Sequence, residues 1–365
     1  RIERQDGAYF GASTSVSRLE TFYGCPYAHY FNYVLSLRRR KDGKFEGTEN
    51  GTILHFVLER FFKDVRDGKI NDDTDLDEKA DAYFFEAVKE NDFGVLLEKA
   101  DTGRLLYRVK AEGAHLIKDL YRVQKRSKFR PCFLEAKIGE GEILPVSLDI
   151  GDIKIGLKGT IDRVDVLDDK FIVIDYKTYK SADLPLKELY AGQKIQLYVY
   201  MRAVEKSLGA KPCGVFYFPI FSSFTDDAED RYKYKGQACD SYETLCQIDD
   251  MVKTAPEKSV VPFKRDKKTD KFNEGVHLSK SDFDVLGDYA MAIAAKGAKE
   301  IADGFIRPTP LYGKCDKCDF ASICAYKGMN ERKLPKVSGT SAFLLDDETK
   351  KDDAENEKSA EGARV

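Results

Sequence analysis

Apolar and aromatic residues crowd the stretch Leu19 to Leu37, and Ser17 with Glu20 three residues later forms a capping box at its start. In such a box the serine takes an orphan helical N–H and the glutamate reaches back to the serine, so an opening helix is predicted here. A polar, glycine-containing loop follows from Arg38 to Gly51. The segment Thr52 to Phe62 is strongly apolar, with His55 and Glu59 one helical turn apart, and a charged helical region runs on to about Arg130. Residues 64–130 read as a helical insertion.

From Cys132 to Tyr179 the period changes to two, in the runs CFLEAKI, IKIGLKGTIDRVDVL and FIVIDYKTY. These predict three strands. Leu186 to Leu208 returns to a helical pattern, Val215 to Ile220 predicts a further strand, and Asp282 to Asp303 a late helix. Residues 221–278 have little periodicity and read as a long variable insertion. Residues 1–12 read as a lead-in, 13–330 as one domain, and 331–365 as a charged, disordered tail.

Composition narrows the class. The 365 residues are 42 % hydrophobic and 12 % aromatic, enough for a real core, while 34 % are charged and the mean hydropathy is −0.47. No run of eighteen apolar residues and no secretory signal pattern is present, so a soluble, cytoplasmic protein without membrane partners is expected. The first residue is Arg, so the N-terminus reads as artificial. No internal repeat and no Walker A loop is found. A net charge of −3 gives no support to a nucleic-acid partner. Between Arg104 and Arg130, however, nine Lys or Arg stand against Glu112 and Asp119, and Arg104, Arg108, His115, Lys118, Arg122 and Lys125 would make one basic stripe on a helix.

The strongest chemical signal is GTIDRVDVLDDKFIVIDYKTY. If Asp168 and Asp169 form a two-residue hairpin loop, Leu167 opposes Lys170 and Asp162 lies across from Asp175. Lys177 shares their face, as do the apolar pairs Val164 with Val173 and Val166 with Phe171. A three-residue loop without a bulge would turn Asp162 to the other side. Opposed carboxylates repel unless a cation separates them, and a hard divalent ion suits them, with the Tyr176 carbonyl as a further oxygen donor. Lys177 beside two anions reads as an electrostatic and water-orienting group rather than a free base. Glu135 and Asp165 read as supporting residues, not ligands.

Eight cysteines occur, and without a secretory signal they do not suggest disulfides. Cys315, Cys318 and Cys324, spaced Cys-x2-Cys-x5-Cys, are a metal-binding signal with Cys25 as the natural fourth ligand. An iron–sulfur cluster and a four-thiolate zinc both remain open on spacing alone. Cys132, Cys213, Cys239 and Cys246 read as ordinary residues.

Four motifs resemble the RecB-type branch of the PD-(D/E)xK nucleases, and within it the C-terminal nuclease domains of the AddB family. They are Gly51-Thr-Ile-Leu-His55, Gly159-Thr-Ile-Asp162-Arg-Val-Asp165, Ile174-Asp175-Tyr-Lys177-Thr178 and Gln196-Leu-Tyr-Val-Tyr200, in order over residues 13–326. The resemblance implies an α/β fold with a mixed central sheet flanked by helices, a helical insertion, and an iron–sulfur staple joining the two ends. It implies a metal site of His55, Asp162, Asp175 and Tyr176, and a catalytic set of Asp162, Asp175, Lys177, Gln196 and Tyr200, the last two positioning DNA. It also implies a [4Fe-4S] cluster on Cys25, Cys315, Cys318 and Cys324. The implied function is a Mg²⁺- or Mn²⁺-dependent DNA exonuclease module that works with an AddA-like helicase-nuclease subunit on a single strand or duplex end. Its setting would be double-strand-break processing for homologous recombination, with part of the DNA path on the basic stripe. A non-catalytic DNA-binding scaffold and a stand-alone cluster-containing exonuclease are the alternatives.

Overall fold

Ser15, not Ser17, caps the first helix: its side chain accepts from the Arg18 N–H at 3.2 Å. The computed structural model describes residues 12–38, 47–93, 100–178, 183–220, 232–266, 269, 271–273, 275–328, 330–337 and 339–344. The chain opens with β1 (Ser13–Ser15) and α1 (Val16–Gly24), which buries Val16, Leu19, Phe22 and Tyr23. The predicted continuous helix breaks at Cys25, which is extended (φ −163°) ahead of Pro26, since proline disfavours helical backbone in the residue before it. A short α2 (Pro26–His29) and a π turn (Tyr30–Val34) follow.

Next come α3 (Gly47–Arg66), α4 (Leu76–Glu90) and α5 (Ala100–Arg126). Ile53, Leu54, Val57, Leu58, Phe61 and Phe62 give α3 one fully buried face. The basic stripe lies on α5 as the sequence suggests, but acids answer several of its charges. Lys118 Nζ meets Asp77 at 2.6 Å, Lys125 Nζ meets Asp72 at 2.7 Å, and Arg122 meets Asp119 at 2.5 Å. Part of the stripe therefore docks α5 against α4 and the loop before it, which weakens its assignment as a DNA path.

The sheet region holds β2 (Arg130–Lys137), β3 (Val146–Ile150), β4 (Ile153–Lys158), β5 (Thr160–Leu167) and β6 (Lys170–Lys177). The run read as one strand from Ile153 to Leu167 is two, parting at Gly159. Then come α6 (Leu186–Tyr190), α7 (Gln196–Leu208) and β7 (Lys211–Pro219). The supposed insertion supplies β8 (Lys235–Cys239), α8 (Tyr242–Ile248), α9 (Met251–Thr254) and β9 (His277–Leu278), while residues 221–231 lie outside the described set. Tertiary pairing, not local propensity, makes these strands. Last are α10 (Lys280–Ala302), with a complete capping box of Ser279 and Asp282, and α11 (Ala321–Cys324).

A six-stranded mixed sheet runs β2-β5-β6-β7-β8-β9, and β1-β4-β3 form a smaller one. β6 and β7 are parallel, joined through α6 and α7, and the other pairings among β2, β5, β6 and β7 are antiparallel. Helix α7 buries Leu197, Tyr198, Val199, Tyr200, Met201, Ala203 and Val204, and α10 packs beside it. The expected mixed α/β architecture is present. Part of the region read as a disordered tail is packed, for Phe343 is buried against Tyr289 (ring centroids 4.9 Å). Residues 345–365 lie outside the described set.

Candidate active site and cysteine cluster

The β5–β6 ladder has Leu167 opposite Lys170 and Arg163 opposite Ile174, the register of a two-residue loop. Asp168 in that loop has a left-handed backbone (φ 52°), which aspartate tolerates better than most residues. One step beyond Arg163 and Ile174 stand Asp162 and Asp175. Here a side chain joins the strands: the Tyr176 N–H donates to Asp162 Oδ2 at 2.6 Å. Both aspartates are buried, 8 % and 2 % exposed. Burial, followed by the charge of Asp175, pushes the Asp162 carboxyl well above the usual carboxylate range.

Helix α3 brings His55 to this point, with Nδ1 3.6 Å from Asp162 Oδ2 and 3.4 Å from Glu135 Oε1. Burial opposes protonation of the imidazole, but Glu135, Asp162 and Asp175 outweigh it and push its pKa up to about 9. The motif glycine Gly51 permits the approach, for a Cβ there would lie 2.8 Å from Thr178 Cγ2.

Glu135 is the member that sequence reasoning undervalues. It sits in β2 with φ 47°, a conformation that is strained for a non-glycine residue, while the β2–β5 register runs unbroken from Leu134 to Ala136. Its Oε1 is buried 3.4 Å from His55 Nδ1, and Asp175 Oδ2 is buried against the Lys177 ammonium. Ligand atoms of His55, Glu135 and Asp162 all lie within 4.8 Å of one another, the one such set among the described residues. The clustered carboxylate oxygens of Glu135 and Asp162 with one imidazole nitrogen fit a hard divalent cation such as Mg²⁺ or Mn²⁺. An open cleft of about 570 Å³, lined by His55, Glu59, Glu135 and Thr178 among others, leads to the set.

Lys177 pairs with Asp175, and its Nζ donates to Gln196 Oε1 at 3.2 Å. Gln196 Nε2 in turn donates to Tyr200 OH at 2.9 Å. Thus Asp175, Lys177, Gln196 and Tyr200 form one linked chain, and Asp162 joins it through the Tyr176 N–H. Gly159 has a steric reason, since a Cβ there would stand 2.7 Å from the Tyr200 hydroxyl and ring edge. Asp165 takes no part: it accepts from Arg163 Nε at 2.6 Å, and the Arg163 guanidinium lies 3.6 Å from the Phe62 ring centre. Being two residues apart on β5, Arg163 and Asp165 face away from Asp162 and lock the sheet to α3.

At the other end, Cys25, Cys315, Cys318 and Cys324 line one cavity of about 530 Å³ together with Phe31 and Phe320. None of the four is in a disulfide. Burial and then the neighbouring sulfurs raise the Cys315 thiol. The Cys324 thiol is raised by burial as well, with Cys25 and Cys318 adding to it. The Leu311 N–H to Gly24 carbonyl bond (2.9 Å) and Arg332 Nη2 to the Tyr23 carbonyl (2.5 Å) hold the two chain regions together.

Asp162 on β5 and Asp175-Tyr-Lys177 on β6 thus meet where the two strands part. The family model described as PD-(D/E)XK nuclease superfamily matches residues 13–325, and the chain belongs to that superfamily. Among individual proteins it is similar to the B-type subunit of the ATP-dependent helicase/deoxyribonuclease of Alkaliphilus oremlandii, 28 % identical over 345 residues, 86 % of this chain and 30 % of that protein. The namesakes in Alkaliphilus metalliredigens and Clostridioides difficile are 27 % and 26 % identical, covering 89 % and 90 % of this chain and 32 % of each relative. The chain therefore spans about a third of the length of the curated relatives it matches. No described helix is long and apolar enough to cross a membrane.

Proposed function

We propose that this chain is the nuclease module of a helicase-nuclease, hydrolysing DNA phosphodiesters with Mg²⁺ or Mn²⁺ during double-strand-break processing in the cytoplasm, with an AddA-like helicase as partner. The observation that carries the reading is the convergence of His55, Glu135, Asp162, Asp175 and Lys177 on the β5–β6 fork. His55, Glu135, Asp162 and Asp175, with the Tyr176 carbonyl, would hold the ion. When bound, it supplies charge neutralisation at the scissile phosphate and a lowered pKa for the attacking water. The Lys177 ammonium, steadied by Asp175 and Gln196, hydrogen-bonds a phosphate oxygen and orients the water. Gln196 and Tyr200 set where the ammonium points. The cleft along α3 and the end of β6 admits the strand.

The four cysteines would hold a [4Fe-4S] cluster. What supports this reading is that Cys25, remote in sequence, lines one cavity with Cys315, Cys318 and Cys324.

The test is Mg²⁺-dependent cleavage of end-labelled single-stranded DNA by anaerobically prepared protein, with the helicase partner added, beside Asp175→Ala. Cleavage that disappears in the variant sustains the reading. A wild type that binds DNA without cutting it, even with the partner, would identify a scaffold instead.

A further inference from the structure

Helix α7 has no cap of its own: Ile195, at the N-cap position, is already helical (φ −77°, ψ −16°) and offers no side-chain acceptor. The first N–H of the helix, that of Gln196, instead donates at 3.1 Å to Oε1 of Glu20, a residue 176 positions away in α1. A carboxylate at a helix N-terminus satisfies an orphan donor and meets the positive end of the helix dipole. The two elements are tied a second time, for Gln193 Nε2 donates to the Glu20 carbonyl at 2.6 Å. Between these ties lies Lys194 in a left-handed backbone (φ 57°), which a lysine adopts only under constraint from its surroundings.

The same Gln196 whose backbone Glu20 fixes also accepts from Lys177 Nζ through its side chain, and is itself anchored to Tyr200. We propose that Glu20 is a positioning residue for Lys177: by capping α7 from α1 it fixes Gln196, and through Gln196 it fixes the ammonium beside Asp175. The functional part of this proposal rests on the nuclease reading above. The positioning part does not. Glu20 also faces the ammonium groups of Lys177 and Lys194, both of which stand 4.9 Å from the Tyr217 ring centre. Loss of the Glu20 acceptor therefore removes the backbone anchor of α7 at the residue that holds Lys177. Glu20 does not belong to the metal-binding set, so its removal should spare metal affinity.

The experiment compares wild type, Glu20→Ala, Glu20→Asp and Glu20→Gln in the full chain. Accessibility of Lys177 is read by brief treatment with an amine-acetylating reagent and peptide mass spectrometry, alongside melting temperature, Mn²⁺ affinity, and kcat and KM on single-stranded DNA. Glu20→Ala and the one-methylene-shorter Glu20→Asp should raise Lys177 labelling several-fold and lower kcat by about tenfold or more, with KM within about twofold, since small misplacements of a catalytic group are costly. Glu20→Gln keeps the Oε1 acceptor and should remain close to wild type. Unchanged Lys177 labelling in folded Glu20→Ala and Glu20→Asp overturns the proposal, even if their melting temperatures fall. Should the wild type cut no DNA, the nuclease reading fails, while labelling still decides whether Glu20 positions Lys177.

Discussion

Asp162 receives the Tyr176 backbone N–H at 2.6 Å, so the carboxylate that would hold metal also closes the gap where β5 and β6 part. It does so with its pKa raised, chiefly by burial and then by Asp175. A carboxyl that keeps its proton to higher pH when folded than when unfolded opposes folding once ionised, and this loss grows as pH rises through the folded-state pKa. Asp162→Asn retains an acceptor and removes the charge. In metal-free protein at neutral pH it should raise stability by about 1 kcal/mol in urea unfolding, while abolishing stabilisation by Mn²⁺. A metal-free variant less stable than wild type would show that the ionised carboxylate is instead well satisfied.

His55 supplies a pH dependence of opposite practical sense. With its pKa near 9 in the metal-free protein, the ring must lose a proton before it can ligate. Apparent Mn²⁺ affinity should therefore rise up to about tenfold per pH unit from pH 6.5 and level off near pH 9. Calorimetric titrations at four pH values would measure the slope, and His55→Ala should flatten it along with weakening binding.

Glu135 separates strain from ligation. Glu135→Ala removes the carboxylate but keeps a Cβ at φ 47°, whereas Glu135→Gly removes both. Both variants should lose at least about tenfold in Mn²⁺ affinity. Glu135→Gly should be the more stable of the two by about 1 kcal/mol, because glycine adopts that backbone freely. Equal stabilities would mean that the backbone relaxes when the side chain is gone.

The cysteine site predicts iron and acid-labile sulfide in anaerobically purified protein, lost together in Cys318→Ser. Linking Cys25 to Cys315 closes a loop of roughly 290 residues, for which chain-entropy reasoning gives roughly 5–6 kcal/mol. The melting temperature should accordingly fall on cluster loss. Stoichiometric zinc in place of iron would decide for the other four-thiolate assignment.

What can be read from the sequence follows from the range of each interaction. The hairpin sets its own register, because a two-residue Asp-Asp loop dictates which residues of β5 and β6 oppose. Asp162, Asp175 and Lys177 are therefore visible together. Glu135 is not, since the run CFLEAKI alternates like any strand and gives no sign of a left-handed residue within it. Its one signal is an acid inside an apolar strand. Glu20 misleads for a sharper reason: Ser17 and Glu20 satisfy the capping-box spacing, yet Ser15 caps α1 and Glu20 serves a different helix. The α5 stripe is visible as charge, but its partners Asp72 and Asp77 lie on the far side of a loop and helix turn that composition cannot place. Likewise β8 exists because β7 offers an edge and β9 because β8 does, which their own sequences do not announce.

The seat of α1 is built from residues near the far end of the domain: Tyr23 OH donates to the Ile293 carbonyl at 2.6 Å, Gly24 accepts from Leu311, and Arg332 reaches Tyr23. Alongside its ties to Gln193 and Gln196, α1 therefore depends on segments distant in sequence for its seat. The contact from Glu20 to Gln196 thus draws support from both ends of the domain. On the reading proposed above, removing these late contacts would leave the carboxylates of the site in place while loosening the helix that, through Glu20 and Gln196, aligns Lys177.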